Sequence, residues 1–551
     1  MGAGSSLPAS MHPRIHSLQA FCRPFLLWNW RFLSTNLRPA TFNLQPAMPQ
    51  IQPHLFVIFG ATGDLTRRKL IPALYHLMQD EDVARHCYVL GTARSDWSDE
   101  KFRDEARTAL REKGHADEEV AQWCTRNLFY QCLGAEGNDY EALRDRIEQI
   151  ERHRDLPGNR AFYLSLPPST YGPAIGDLGS VGLNDSPGWT RVVVEKPFGY
   201  DLESAHALNE QVHAHFDEDQ VYRIDHYLGK ETVQNLMAFR FGNALFESMW
   251  NREHIERIEI TVSEPLGVGG RGGYYDESGH VRDMVQNHLT QLLTLVAMEP
   301  PSSMDANAIR DEKVKVLNAV QQPTRERDAI FGQYEAGTVD GEPVPGYRDE
   351  PDVPADSDTE TFAAMRLNIA NWRWQGVPFY LRTGKRLPRK LTQIAVRFQS
   401  APVSLFQADG SPCVPQEANC EAPPNELLIT LQPDEGFDLR FEVKAPGNSR
   451  NGSMTLETQQ LSFSYENAFG PVPDAYETLI RDIIVGDPTL FVRADEVEAS
   501  WQLYAPLLES DAPVHPYEAG TWGPDAVDQL LSSWSSTGRD PVSRTTADAA
   551  A

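Results

Sequence analysis

The chain has 551 residues, of which 41% are hydrophobic and 23% are charged. This composition is ordinary for a globular enzyme, and the length predicts about two to four domains. Fifty basic against 78 acidic residues give a formal net charge of −28. That charge argues against a nucleic-acid binder, since such proteins need clustered cations. An anionic substrate would therefore need a local cationic pocket. Six cysteines without a CxxC pair argue against a disulfide framework and a thiolate metal site, and they favour a reducing, cytoplasmic compartment.

The two ends of the chain are expected to lie outside the fold. The first 63 residues contain no aspartate or glutamate but carry spaced arginines. Residues 1–47 therefore read either as an organellar transit peptide or as sequence upstream of a wrongly assigned start, with Met48 as the natural start. Residues 526–551 are rich in serine, threonine and alanine and are expected to fray. No membrane-spanning segment is predicted, because no apolar run is long enough.

Strands and helices alternate from His54 onward. Continuous apolar strands are predicted at His54–Phe59, Cys87–Leu90, Ala161–Leu166 and Arg191–Val194, with a helix through Lys69–Met78 after the first. Apolar strands separated by helices indicate a doubly wound parallel sheet that is buried on both faces. We therefore predict a Rossmann-like α/β domain over residues 48–225.

The pattern changes after about residue 225. Alternating strands are predicted at Ile255–Val262, Ile394–Phe398, Leu427–Leu431 and Leu461–Tyr465, together with a long helix over Asp283–Met298. Such alternation is typical of strands with one buried face. Residues 338–358 are rich in proline, glycine and aspartate and are predicted to be loop. Residues 226–525 should thus form a larger α+β domain on a mostly antiparallel sheet.

A glycine-containing turn follows the first strand. Its residues are Gly60, Ala61, Thr62, Gly63, Asp64 and Leu65. Such a turn can be merely tight, but between a strand and a helix it favours dinucleotide binding, because the backbone can approach a pyrophosphate. The next strand ends at Arg94 and Ser95. An arginine there suits the 2′-phosphate of NADP, whereas the alternative is a solvated surface side chain.

Two further motifs follow later strands. Lys196 lies in a Glu-Lys-Pro-Phe-Gly segment, where Pro197 could hold a cis bond. The segment RIDHYLGKE then places Asp225, His226, Tyr227 and Lys230 close together. His226, Tyr227 and Lys230 could donate to one phosphate. The alternative is a helix start with Asp225 as its N-cap and a solvated Lys230.

The predicted long helix carries Asp283, Asn287 and His288 near its N-terminal end. A single histidine on a helix is more often structural than catalytic. His288 becomes a general-base candidate only if a carboxylate orients it.

Together these motifs carry a family resemblance. GATGDL, EKPFG, RIDHYLGKE, RGGYYDE with DMVQNH, RDEKVKVL and RTGKRLP occur in an order that closely resembles the glucose-6-phosphate dehydrogenase family, from about Leu55 to about Pro524. The resemblance implies oxidation of D-glucose 6-phosphate at C1 to 6-phosphogluconolactone with hydride transfer to NADP, which is the first step of the oxidative pentose phosphate pathway. It implies no metal, no nucleic acid and no membrane partner, and a cytoplasmic homodimer or homotetramer.

The resemblance also assigns roles to residues. It implies that His288 is the general base and that Asp225 orients it. It implies substrate contacts for nine residues: Lys196, His226, Tyr227, Lys230, Glu264, Asp283, Lys385, Lys390 and Gln432. It implies coenzyme contacts for the turn, for Arg94 with Ser95, and for Lys196, which bridges substrate and coenzyme.

Two other functions remain open on the sequence. An oxidoreductase of the glucose–fructose type also combines a Rossmann domain with Glu-Lys-Pro, but it would not need the cationic group at His226, Tyr227, Lys230 and Lys390. A non-catalytic NADP-binding regulatory protein would be expected to lack the base or its partner, yet Asp225 and His288 are both present.

Overall fold

The computed structural model describes residues 51–79, 83, 86–115, 118–406, 413, 423–446, 454–509 and 513–530. The expected leader and residues 531–551 lie outside these ranges, as does most of the segment 407–422. Cys87, Cys124 and Cys132 are free thiols, whereas Cys413 is disulfide-bonded. Within the described ranges, no helix has the length and apolarity needed to cross a bilayer.

The first sheet has seven strands, ordered β17-β6-β5-β4-β1-β2-β3. Its strands are β1 (His54–Phe59), β2 (Cys87–Ala93), β3 (Leu128–Cys132), β4 (Arg160–Leu164), β5 (Thr190–Val194), β6 (Val221–Ile224) and β17 (Phe491–Val492). All neighbours pair in parallel except β17, which runs antiparallel to β6. The edge strand β17 thus comes from the far end of the chain.

Both faces of this sheet are covered, which explains its continuous apolar strands. Along β1, Phe56 and Ile58 belong to one hydrophobic core, while Leu55, Val57 and Phe59 belong to another. The helices of this part are α1 (Ile71–Leu77), α2 (Asp99–Glu112), α3 (Glu118–Asn127), α4 (Tyr140–Arg154), α5 (Tyr171–Ser180) and α6 (Leu202–His213). The predicted doubly wound architecture is confirmed.

The second sheet has nine strands, ordered β16-β15-β14-β13-β7-β12-β11-β8-β18. Its strands are β7 (Ile255–Ser263), β8 (Ala329–Glu335), β11 (Phe362–Asn368), β12 (Pro378–Gly384), β13 (Leu391–Phe398), β14 (Glu426–Gln432), β15 (Gly436–Lys444), β16 (Leu456–Ser464) and β18 (Val514–Glu518). Neighbours are antiparallel except β7 with β12 and β8 with β18. The prediction of a mostly antiparallel sheet is therefore confirmed.

The prediction that residues 338–358 are only loop is wrong. A short hairpin of β9 (Gly337–Val339) and β10 (Glu342–Val344) begins there. Its turn residues Asp340 and Gly341 both have positive φ, at 52° and 83°, as the tight hairpin turns that match strand twist require. The Asp-Gly pair was thus a hairpin signal hidden among other turn-forming residues.

The other helices follow β6 along the chain. These are α7 (Glu231–Phe241), α8 (Ala244–Met249), α9 (Gly272–His280), α10 (Thr290–Ala297), α11 (Ala306–Ala319), α12 (Arg325–Asp328), α13 (Tyr465–Phe469), α14 (Ala475–Val485), α15 (Ala494–Leu508) and α16 (Val527–Leu530). The helix predicted over Asp283–Met298 differs from expectation, because Val281–Leu289 forms a π-helix that leads directly into α10. This wider turn shapes the site described next.

Candidate active site

The turn after β1 has the backbone that close approach to a ligand requires. Gly60 has φ +75°, and a Cβ there would lie 2.0 Å from the Ser165 carbonyl oxygen. The Gly63 N–H donates to the Gly60 carbonyl at 2.9 Å, and a π-helix begins at Thr66. Glycine is therefore required at Gly60 by both conformation and space. The turn can place backbone N–H groups and a helix start against a pyrophosphate.

Arg94 and Ser95 follow β2, the strand that neighbours β1 in the sheet. The Arg94 side chain is exposed, and its stem lies over Gly137, where an added Cβ would be 3.0 Å from Arg94 Cγ. The Ser95 carbonyl accepts from the Tyr130 hydroxyl at 2.7 Å. Arg94 forms no ion pair with any described residue, whereas Asp64 in the turn is paired with Arg68 at 2.8 Å. The guanidinium is thus available to an anionic group beside the glycine turn.

Asp225 and His288 form a buried pair. His288 Nδ1 lies 2.6 Å from Asp225 Oδ1, and both side chains are almost fully buried. Oδ1 also accepts from the Tyr227 N–H at 2.9 Å, while Oδ2 has no hydrogen-bond partner in the described part of the chain. Because the carboxylate holds a proton on Nδ1, the lone pair of neutral His288 is on Nε2.

The pKa values of this pair suit a base. Burial lowers the pKa of His288, and the Asp225 carboxylate counters that effect only in part. Burial alone would raise the pKa of Asp225, but the charge and hydrogen bond of His288 outweigh it and hold that pKa below its usual range. At neutral pH the imidazole is therefore unprotonated at Nε2 and the carboxylate is ionised.

Lys196 reaches the same imidazole from the end of β5. Its Nζ lies 2.8 Å from His288 Nε2 and 3.1 Å from the Asp283 carbonyl oxygen. Its peptide bond to Pro197 is cis. In an α-helix, residues five apart such as Asp283 and His288 would point about 140° apart. The π-helix has more residues per turn, so the two side chains come closer to one face, and Lys196 Nζ also lies 3.6 Å from Asp283 Oδ1.

A second group of residues offers hydrogen-bond donors and positive charge. Lys230 Nζ donates to Gln432 Oε1 at 2.8 Å and lies 4.1 Å from the centre of the Tyr227 ring. The Tyr227 ring in turn stacks on His288 at 4.3 Å, and His226 meets His288 edge-on at 4.7 Å. The motif RIDHYLGKE therefore surrounds the imidazole of a residue more than sixty positions away.

The charges in this group are set by burial. Burial and the nearby Lys390 lower the pKa of Lys230 to about 8. Burial also lowers the pKa of His226 well below its ordinary value, so its imidazole is neutral at pH 7. Lys390 itself is exposed. Lys230 and Lys390 thus supply positive charge while His226 supplies a neutral hydrogen-bonding ring.

Lys385 lies between two acids. Its Nζ is 2.8 Å from Glu264 Oε2 and 3.4 Å from Asp283 Oδ2. Burial works against the charge of Lys385, but the two carboxylates raise its pKa above the usual value. In this arrangement the Lys385 charge is already balanced, so Glu264 and Asp283 are held as ionised acceptors for hydroxyl groups.

The structure connects the expected substrate and base residues other than Lys390 through direct contacts, and Lys390 acts on Lys230 only through its charge. Sequence reasoning missed two neighbours. Thr392 accepts from Gln432 Nε2 at 2.8 Å; it lies two positions after Lys390, a spacing that could have indicated it. Tyr476 lies parallel to the His226 ring, with centroids 6.4 Å apart. No local motif marks Tyr476, because only the packing of α14 brings it here.

One candidate metal group exists among the described residues. Ligand atoms of Asp225, His226 and His288 lie within 4.8 Å of one another. The Asp225–His288 hydrogen bond already engages one ligand atom of each residue. A reaction without metal therefore remains our prediction for this site.

A doubly wound sheet with a glycine turn after its first strand is typical of dinucleotide-binding proteins, and a carboxylate-oriented histidine adds a general base. The family model described as the glucose-6-phosphate dehydrogenase NAD binding domain matches residues 57–235, and the model of the C-terminal domain of the same enzyme matches residues 237–537.

Relatives of known name and structure agree with these matches. The chain is 47% identical over 495 residues to glucose-6-phosphate 1-dehydrogenase of Aggregatibacter actinomycetemcomitans, covering 88% of this chain and 97% of that relative. It is 42% identical to the Bacillus subtilis enzyme of the same name, covering 87% and 96%. A solved glucose-6-phosphate dehydrogenase in complex with its substrate glucose-6-phosphate superposes with a TM-score of 0.79 at 36% identity, covering 89% of this chain and 99% of that one. The chain belongs to the glucose-6-phosphate dehydrogenase family.

Proposed function

We propose that this protein oxidises the C1 hydroxyl of D-glucose 6-phosphate to 6-phospho-D-glucono-1,5-lactone, with NADP⁺ as the hydride acceptor. The observation that carries the proposal is the buried Asp225–His288 pair, whose unprotonated nitrogen Nε2 faces Lys196, next to Lys230 and its neighbours. Oxidation of an alcohol by hydride loss needs such a base at the oxygen.

His288 takes the proton in this reaction. Its Nε2 removes the proton of the C1 hydroxyl as the hydride leaves C1, and the oxygen becomes the carbonyl of the lactone. The imidazolium that results is stabilised by Asp225 at 2.6 Å. Lys196, which contacts Nε2 in the structure, gives up this contact to the substrate hydroxyl and keeps its bond to the Asp283 carbonyl.

The remaining assigned residues hold the substrate. We assign the phosphate to His226, Tyr227, Lys230 and Lys390, with Gln432 orienting the Lys230 ammonium. We assign the sugar hydroxyls to Glu264 and Asp283, whose charge Lys385 balances. Such a division explains how a chain of charge −28 can bind a dianion, since the cations act locally at short range.

The residues of the glycine turn fit the coenzyme. The glycine turn, with Gly60 at φ +75° and the start of a helix just after it, and the unpaired Arg94 suit a pyrophosphate and a 2′-phosphate respectively. We assign Gly60 to Leu65, Arg94 with Ser95, and Lys196 to coenzyme binding.

Two finer proposals concern the molecule as a whole. We propose two domains, at 48–225 and 226–525, and a homodimer or homotetramer in the cytoplasm. The outer strand β16 supports the assembly, because no other described strand pairs with its outer edge and Leu461 on it is 60% exposed. Sedimentation velocity over a range of concentrations tests it, and a monomer at every concentration would refute it.

The activity is tested by absorbance at 340 nm with the purified full chain. Glucose 6-phosphate or glucose is offered with NADP⁺ or NAD⁺, at low and high salt. We expect rapid reduction of NADP⁺ with the phosphorylated sugar and slow reduction with glucose. A folded protein that reduces neither coenzyme with either sugar would overturn the proposal and favour a regulatory role.

A further inference from the structure

A buried carboxylate lies directly behind the proposed active site. Glu195, the residue before Lys196, is 8% exposed. Its Oε1 accepts from the Tyr163 hydroxyl at 2.6 Å and from the Tyr476 hydroxyl at 3.3 Å. A buried carboxylate needs such donors, and two phenols from different elements converge on one oxygen here. The mechanism above uses none of the three residues.

Tyr476 connects this carboxylate to the phosphate-binding group. Its ring and the His226 ring are parallel within 8°, with centroids 6.4 Å apart. The start of α14, which carries Tyr476, also packs tightly on the loop that follows His226. A Cβ added at Gly229 would lie 2.6 Å from the Ala475 carbonyl oxygen and 2.8 Å from Leu479 Cγ.

The start of α14 is itself held in place. Asp474 caps the helix by accepting from the Tyr476 N–H at 3.0 Å, and it pairs with Lys69 at 2.6 Å. Glu477 lies 2.8 Å from His76 of α1. These contacts fix the position of Tyr476, so its ring limits where the His226 ring can lie.

Tyr163 connects the same carboxylate to the sheet. It lies on β4, opposite Val193 of β5, and is fully buried. Its hydroxyl bond to Glu195 holds the chain just before Lys196, whose Nζ reaches His288. The two phenols thus bind the same Glu195 oxygen, but Tyr163 is linked to the half of the site with Lys196 and Tyr476 to the half with His226.

We propose that Glu195, Tyr163 and Tyr476 are positioning residues, in which Glu195 with Tyr163 sets the place of Lys196 and Tyr476 sets the place of His226. This inference rests on the proposed function and deepens it. Groups that bind and react must be held within a fraction of an ångström of productive geometry. Loss of the Tyr476 hydroxyl releases the Tyr476 ring that faces His226 while Tyr163 still holds Glu195, whereas loss of the Tyr163 hydroxyl releases Glu195 next to Lys196. Each loss should therefore disturb a different half of the site.

Two matched variants test this division. Tyr163→Phe and Tyr476→Phe each remove one hydroxyl and keep the ring. We expect Tyr476→Phe to raise the KM for glucose 6-phosphate and the inhibition constant of inorganic phosphate by the same factor, about three- to tenfold, with kcat changed less than about twofold. We expect Tyr163→Phe to lower kcat about three- to tenfold with little change in that KM.

Tyr334→Phe is the control for a purely structural loss. Tyr334 donates to the buried Glu350 at 3.0 Å, a phenol–carboxylate pair that contacts none of the assigned site residues. The Tyr334→Phe variant should lower the thermal midpoint about as much as the two test variants do. It should leave kcat and the KM for glucose 6-phosphate unchanged. Glu195→Gln, which keeps an acceptor, should retain more activity than Glu195→Ala.

The outcomes separate this inference from the proposed function. If the two test variants match the wild type, or if both change kcat and every KM alike in step with their thermal midpoints, the positioning roles are wrong. If the wild type does not reduce NADP⁺ with glucose 6-phosphate, the proposed function itself has failed.

Discussion

The turn assigned to the coenzyme and the site assigned to the sugar phosphate are built in opposite ways. The turn is local: Gly60 to Leu65 are consecutive, and Arg94 follows the neighbouring strand. The sugar-phosphate site joins residues far apart in sequence, such as Lys230 and Gln432, which are 202 positions apart. Its reactive groups are also buried, while Arg94 is exposed. The local turn needs only correct backbone conformation, whereas the other site needs the whole second sheet to be assembled.

The largest effect is expected for a variant in the buried sugar-phosphate site. His288→Asn should lower kcat about 10²- to 10⁴-fold, the usual value of a positioned general base. NADP⁺ binding, measured by equilibrium dialysis, should stay unchanged because the turn is separate. The neighbouring variant His226→Asn is the control and should act mainly on the KM for glucose 6-phosphate. Normal turnover in His288→Asn would show that the base is elsewhere.

Removal of the partly buried Lys230 cation should have the next largest effect. Lys230→Ala should lower kcat/KM for glucose 6-phosphate about ten- to hundredfold, since a hydrogen bond to a charged group is lost. Oxidation of unphosphorylated glucose should be nearly unaffected. Lys390→Ala should have a smaller effect, because Lys390 is exposed. An equal loss with glucose would argue against phosphate contact at Lys230.

A variant at the proposed coenzyme site should have a smaller effect, and it should not change the kinetics of the sugar substrate. Arg94→Ala should raise the KM for NADP⁺ about tenfold and leave the KM for NAD⁺ unchanged, because only NADP⁺ carries the 2′-phosphate. Arg152→Ala serves as the control, since Arg152 is exposed and is paired with Glu148, and neither residue is assigned to the coenzyme. Equal changes for the two coenzymes would refute the 2′-phosphate contact.

The smallest effect concerns pH. Burial and Lys390 lower the pKa of Lys230 to about 8, so its charge is present below pH 8 and is lost as the pH rises. We expect kcat/KM for glucose 6-phosphate to fall about fourfold by pH 8.5 relative to neutral pH. Lys230→Arg should abolish this fall, because arginine stays charged. A fall that persists in this variant would assign the titration to another group.

Much of the first domain could be predicted because its signals are local. The apolar runs that became β1 and β5, and the glycine turn between β1 and its helix, follow from burial on both faces of the sheet and from the conformational freedom of Gly60. The residues assigned to the sugar-phosphate site were found through motifs, and their roles stay predictions; their mutual geometry was beyond reach, since no motif states a distance.

The amino-acid sequence by itself determined the alternation of strands and helices, the tight turn at Gly60 and the residue types available for chemistry. Only the tertiary structure decided three other features: the edge strand β17 from the far end of the chain, the π-helix at Val281–Leu289, and the placement of Tyr476 behind His226. The physical reason is the distance along the chain over which each effect acts. Backbone preference and hydrophobic period act over a few residues, whereas these features depend on packing between segments hundreds of positions apart.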